Sequence, residues 1–259
     1  MTILESIVSD LYKELKYKKQ CIPVSQLEQS VLFERTPYSL SDRIRNSSSG
    51  IIAEHKRRSP SKPNINLSTL VHEVAQGYEK AGVSGMSVLT NTKYFGGSLD
   101  DLILARGASQ LPLLRKEFII DEYQIIEAKA YGADAILLIA ACLSREEIKR
   151  FSETAQKLGL EVLLEVHNQE ELEKALMPSL NLLGVNNRNL KSFQVSLETS
   201  KQLVDQIPNE FVKISESGIS DISAVKELKN VGFEGFLMGE HFMKTENPGL
   251  SAQQFIQQL

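Results

Sequence analysis

Glu54 and Lys56 stand at alternate positions near the end of an apolar start, in the stretch Ile51-Ile52-Ala53-Glu54-His55-Lys56-Arg57-Arg58-Ser59-Pro60-Ser61-Lys62. Such a run reads as a short buried strand that delivers two opposite charges to one side. Pro60 and Pro63 stop any regular element beyond it. Ser59 and the basic residues therefore fall on an irregular connection, where a scaffold usually carries its chemistry. Partial burial lowers the proton affinity of a lysine and a neighbouring carboxylate raises it, so a lysine in such a place can be a proton donor or a fixed charged clamp.

The elements that would position these groups form a repeating pattern. Apolar runs at 51–56, 84–90, 112–116, 134–140, 160–166, 181–186, 211–216 and 234–239 read as strands. Helical patterns fill the gaps near 68–81, 98–108, 121–132, 144–158, 168–177, 196–206 and 220–231, with a last one from about Gly249 to Gln258. Ser144 with Glu147 fits a capping box, Asp121 and Ser220 are candidate caps, Pro248 suits a helix start, and several helices run into a glycine. Eight strand–helix units without a glycine-rich dinucleotide turn predict a closed (β/α)8 TIM barrel rather than an open doubly wound sheet. Before it, residues 3–20 predict an amphipathic helix with a basic face and Leu40 to Arg45 a short one, forming a lid or an extra layer. We expect a single domain over 1–259, with 1–48 as the N-terminal helical extension and 49–259 as the barrel.

A barrel of this kind places its site at the C-terminal ends of its strands. Strand alternation puts Ile52, Glu54 and Lys56 on one parity, then Leu114, Lys116 and Phe118, Leu163 and Glu165, Gly184, Asn186 and Arg188, and Ile214 and Glu216. Apart from Phe118, these sets run from apolar or small to polar, as a filled floor beneath a charged mouth requires. Glu165 is a candidate base. Glu54 with Lys56 and Lys116 with Glu216 read equally as structural ion pairs. Ser217-Gly218 and Gly239-Glu240 put small residues where backbone amides could approach a phosphate. Phe95, between Tyr94 and Gly96, would cover an aromatic ligand or pack under its own loop. His167 follows the mouth parity and reads as a loop hydrogen-bonder, whereas His55 points outward.

Composition limits the partners. The chain is 24% charged with a net charge of -4, which argues against a general nucleic-acid or membrane surface and leaves the basic cluster at 55–62 to a small anion. The N-terminus has no targeting pattern and no apolar run is long enough to span a bilayer, so a cytoplasmic protein is expected. Cys21 and Cys142 are too few and too far apart for a disulfide framework or zinc site, and no metal is expected.

Together with Leu89-Thr90-Asn91-Thr92-Lys93-Tyr94-Phe95-Gly96-Gly97-Ser98, Pro112 to Asp121, Glu165-Val166-His167, Gly184 to Leu190, Ser215 to Ile219 and Phe236 to Glu240, the first stretch resembles the indole-3-glycerol phosphate synthase family, in order over nearly the whole chain. The resemblance implies a carbon–carbon lyase of tryptophan biosynthesis. It would close the ring of 1-(2-carboxyphenylamino)-1-deoxyribulose 5-phosphate with loss of carbon dioxide and water, without a cofactor. It implies Lys116 as general acid, Lys56 as carboxylate clamp and donor to the leaving hydroxyl, and Glu165 as base, with Glu54, Asn186 and Glu216 orienting lysines and sugar hydroxyls. Arg188 matches the pattern near the site and Ser217 would support the end of the pocket, with Glu240 beside it. Ser59, Gly218 and Gly239 would bind phosphate, and Phe95, Phe118 and Leu137 would wall the anthranilate ring. A monomer is expected, with association with other enzymes of that pathway left open. Pro63 stands where the family commonly has glycine, which stiffens the first loop. A Schiff-base aldolase and a non-catalytic phosphate-ligand binder are the competing readings.

Overall fold

The computed structural model describes residues 2–190 and 192–259. Helices α1 (Ile3–Cys21), α2 (Val24–Leu27) and α3 (Leu40–Arg45) precede strand β1 (Ile51–His55). Then follow α4 (Val71–Ala81), β2 (Gly85–Leu89), α5 (Thr92–Phe95), α6 (Leu99–Ala108), β3 (Leu113–Lys116), α7 (Glu122–Ala130) and β4 (Ala135–Ile139). The second half runs α8 (Arg145–Lys157), β5 (Glu161–Val166), α9 (Gln169–Ala175), β6 (Leu182–Asn186), α10 (Glu198–Leu203) and β7 (Val212–Glu216). It ends with α11 (Ile222–Asn230), β8 (Gly235–Met238), α12 (Glu240–Met243) and α13 (Pro248–Ile256). All strand pairs are parallel, and β8 pairs with β1 through Ile51 and Phe236, closing the expected barrel.

Two apolar layers follow from the period of two. Ile52, Leu114, Leu137, Leu163, Leu182, Ile214 and Leu237 fill the lumen, while Ile51, Ala53, Met86, Val88 and Leu113 face the helices. The lumen parity continues into Glu54, Lys116, Glu165, Asn186 and Glu216, as the alternation predicts. Helix α3 plugs the opposite end of the barrel, with Leu40 and Ile44 fully buried among the lumen residues. The Glu161 carboxylate holds that plug by accepting from the Leu40 and Ser41 amides and the Ser39 and Ser41 hydroxyls. Asp134 ties the same end together, pairing with Arg35 and Arg106 and accepting from the Tyr38 and Leu113 amides.

Helix α1 takes the other end. Its apolar side, Ile7, Leu11 and Leu15, packs with Phe95, Phe118, Ile120 and Tyr123 beside the mouth. Its start is a capping box of Thr2 and Glu5.

Boundaries differ from expectation at a few places. The cap of α11 is Asp221, which accepts from Ala224 N, and not Ser220. Helix α4 starts at Val71 rather than 68 because the Asn66 side chain captures the amides of Ser68 and Thr69 in a turn. The helix expected over 196–206 is α10 followed by a tighter turn at Val204–Gln206. The four-residue helices α2, α5 and α12 are too short to leave a periodic signature.

Candidate active site

The C-terminal ends of the strands open into a cavity of about 400 Å³. Its lining includes Glu54, Lys56, Ser59, Phe95, Lys116, Phe118, Leu137, Glu165, Asn186, Arg188, Glu216, Ser217, Gly218, Gly239 and Glu240, whereas His167, on the same parity, stands beside Glu165 outside the lining. One side is apolar, with the Phe95 and Phe118 ring centroids 6.2 Å apart above Leu137 and Leu237. Ile3, Leu4 and Ile7 of α1 complete that wall. No strand pattern could have assigned them to the mouth, since their place depends on a helix folding back over the barrel.

The floor is charged and largely buried. Lys116 Nζ lies 2.5 Å from Glu216 Oε2 and 3.5 Å from Glu165 Oε2, and Lys56 Nζ lies 2.8 Å from Glu54 Oε1. The ion pairs read from the sequence therefore exist, and they exist inside the cavity. Burial works against the Lys116 charge, but Glu216, Glu165 and Glu54 outweigh it and raise its pKa, so the ammonium form is held. Burial pushes Glu216 up to about 7, and the nearby carboxylates of Glu165 and Glu54 act the same way against the attraction of Lys116. Glu216 Oε1 is buried without a hydrogen-bond partner, which fits a carboxyl that readily keeps a proton. Burial also acts to raise Glu165, yet Lys116 and then His167 overcome it and hold this group at about 2. Glu54 is lowered in the same manner, with Lys56 and Lys116 overriding burial.

Close approach at two glycines shapes the floor. A Cβ on Gly184 would come within 2.3 Å of Glu216 Oε1, and one on Gly239 within 2.7 Å of Glu54 Oε1. At the end of β7, Ser217 and Gly218 both take positive φ, 66° and 77°. A serine in this conformation is uncommon and is held by its surroundings. Asn187 does the holding, donating to the carbonyls of Glu216 and Ser217 and to Ser215 Oγ. That structural task for Asn187 was not legible in the sequence.

The basic stretch divides into two functions. Arg57 makes a bidentate pair with Asp101 and donates to Gly96 O, while Arg58 donates to the Thr92 and Lys93 carbonyls. Both tether the loop after β2 and neither lines the cavity, which corrects the expectation that the whole cluster serves an anion. Lys56 lines the mouth, and the exposed Lys62, outside the lining, pairs with Glu240, which lines it. Ser59 and Lys62 close the intervening turn through two backbone hydrogen bonds. His55 does point away from the lumen, but it is buried, and burial together with Arg57 lowers it to about 4. His167 is a more engaged group than a simple loop hydrogen-bonder, being in contact with both Glu165 and Glu171.

A cavity with an apolar wall at one side and buried ammonium–carboxylate pairs at its floor suits an anionic aromatic ligand and proton transfer to and from it. Comparison with known proteins agrees. Residues 4–258 match the family model described as indole-3-glycerol phosphate synthase. The indole-3-glycerol phosphate synthase of Bacteroides thetaiotaomicron is 46% identical over 98% of this chain and 97% of its own length. That of Verminephrobacter eiseniae is 42% identical over 96% and 97%, and that of Campylobacter jejuni 41% over 95% and 97%. Among solved structures, a thiamine phosphate pyrophosphorylase from Pyrococcus furiosus superposes with a TM-score of 0.61 at 15% identity, over 85% of this chain and 98% of that one. A tryptophan synthase complex from Pyrococcus furiosus gives a TM-score of 0.61 at 13% identity, over 81% and 96%. These last two show the barrel fold alone. The full-length match to the family model and the identities to its members establish that the chain belongs to the indole-3-glycerol phosphate synthase family.

Proposed function

We propose that Lys116 is the general acid and Glu165 the base of the reaction of this family, the conversion of 1-(2-carboxyphenylamino)-1-deoxyribulose 5-phosphate to indole-3-glycerol phosphate, carbon dioxide and water. The observation that carries the assignment is the Lys116 ammonium held between Glu216 and Glu165 on the floor of the cavity. Attack of the aromatic carbon on the sugar carbonyl develops an alkoxide, and an ammonium already fixed beside it can neutralise that charge without reorganisation. Loss of carbon dioxide then restores the aromatic ring. Elimination of water completes the indole, with Lys56 protonating the departing hydroxyl and Glu165 accepting the proton from carbon.

The order of events fits the electrostatics. While Lys116 is charged, Glu165 is a weak base. Once Lys116 has given its proton to the alkoxide, the main cation lowering Glu165 is gone, so basicity rises when the elimination needs it. Glu216, at hydrogen-bond distance from Lys116 and near 7 in proton affinity, is placed to return a proton to the lysine.

Glu54 orients Lys56, and Asn186 and Arg188 stand at the end of β6 beside the sugar. Ser59, Ser217, Gly218 and Gly239 receive the phosphate, with Glu240 holding Lys62 next to it. Phe95, Phe118 and Leu137 face the anthranilate ring. The test is indole fluorescence on mixing enzyme with the carboxyphenylamino substrate. Lys116→Ala should lose turnover by roughly three orders of magnitude while still binding product, and unchanged turnover would remove Lys116 from the acid role.

A further inference from the structure

The residue two places beyond Glu165 has a geometry that a loop hydrogen-bonder would not need. His167 Nε2 lies 3.3 Å from Glu165 Oε1, and His167 Nδ1 lies 3.2 Å from Glu171 Oε2. The His167 amide also donates to that Glu171 oxygen at 2.9 Å. The other Glu171 oxygen accepts from Asn168 Nδ2, and the Asn168 side chain caps α9 at Glu171 N. The imidazole is thus anchored from behind by a carboxylate that is itself fixed at a helix start. In front its Nε2 makes an ion-pair contact, without hydrogen-bond geometry, with the oxygen of Glu165 that Lys116 does not approach, since Lys116 faces Oε2.

The geometry points to His167, backed by Glu171, as a positioning residue for Glu165, the cation that keeps this carboxylate oriented and ionised while Lys116 is transiently neutral. The inference rests on the reading of Glu165 as base. Lys116 must lose its charge during ring closure, and without a second cation Glu165 would be left buried beside Glu216 and Glu54 with only a neutral donor to oppose protonation. Burial works against a charged imidazole, but the carboxylates of Glu165 and Glu171 outweigh it and raise His167 to about 10, so it stays cationic through neutral pH. Other groups around the pair do not replace it. Lys174 of α9 is engaged with the Ala140 and Leu143 carbonyls, and Cys142, raised by burial to about 12, stays a neutral thiol. Asn186 reaches Glu165 as a neutral donor, and Lys56 is paired with Glu54.

The experiment is a pH–rate comparison of wild type, His167→Gln, Glu171→Gln and Glu165→Gln. His167→Gln should lower kcat about tenfold at neutral pH with KM little changed, and move the acid limb of kcat upward by about one pH unit or more. Glu171→Gln, which leaves the imidazole in place but less firmly charged, should shift the same limb in the same direction by less. It also keeps the inference testable if His167→Gln folds poorly. A wild-type limb in both variants would overturn the role of His167, as would equal losses in kcat and KM with no shift of the limb. Glu165→Gln separates the two ideas: if it retains turnover the base reading itself fails, and if it is inactive while the His167 and Glu171 variants keep the wild-type limb, only the positioning role fails.

Discussion

Lys116 Nζ and Glu216 Oε2 are 2.5 Å apart in a part of the floor where Glu216 is 1% exposed. Burial leaves Glu216 with a proton affinity near 7, so the free enzyme changes charge at this residue close to neutrality. Below that point the pocket carries one negative charge fewer and accepts an anionic substrate more readily. The expected result is a fall in kcat/KM as pH rises through about 7, an inflection missing from the profile of Glu216→Gln. Identical profiles would mean that Glu216 does not titrate there.

Gly184 supports that carboxylate by having no side chain. A Cβ would stand 2.3 Å from Glu216 Oε1 and 3.1 Å from Leu163 Cδ1. Gly184→Ala should therefore push Glu216 off Lys116 and lower kcat by about tenfold or more, with a stability cost of about 1–3 kcal/mol from overpacking. Steady-state kinetics with a denaturant titration measure both, and full activity would show that Glu216 can move without consequence.

His55 gives a pH dependence of stability rather than of rate. Its folded value of about 4 lies below its ordinary 6.5, so the folded protein binds this proton less readily than the unfolded chain. The penalty is absent above 6.5 and grows as pH falls toward 4, reaching about 3 kcal/mol. Urea unfolding at pH 7 and pH 4.5 should show a smaller loss for His55→Leu than for wild type, and parallel losses would count against it.

Leu40 tests the plug at the far end of the barrel. It is fully buried in the lumen cluster, and its Cδ1 lies 2.4 Å from where a Cβ on Gly85 would stand. Leu40→Ala should cost about 2–5 kcal/mol while leaving KM near wild type, because the cavity it creates is on the opposite side of the barrel floor from the substrate. A large change in KM would reveal coupling between the two ends.

Much of the site was legible because strand alternation is local. Once the runs ending at Glu54, Lys116, Glu165, Asn186 and Glu216 are taken as strands of one barrel, their last lumen-facing side chains must meet, whatever the rest of the chain does. Contacts made by folding back were not legible in the same way. Ile3, Leu4 and Ile7 reach the mouth only because α1 packs on Phe118 and Tyr123, and Asn187 supports the Ser217 turn across two strands. His167 could be assigned to the mouth from parity. Its partner Glu171, on the next helix, appeared only with the loop between them in place. Arg57 and Arg58 looked like anion ligands because a charge run does not reveal which carbonyls and carboxylates will be near.

Three described lysines at or beside the mouth already have a carboxylate partner, Lys56 with Glu54, Lys116 with Glu216 and Glu165, and Lys62 with Glu240, while Lys244 and Arg188 line the cavity outside these pairs. A phosphate or carboxylate that reaches those three lysines therefore exchanges partners with a carboxylate already in place. Long-range attraction contributes little to such an exchange, so the share of substrate capture carried by these three paired lysines should depend only weakly on ionic strength.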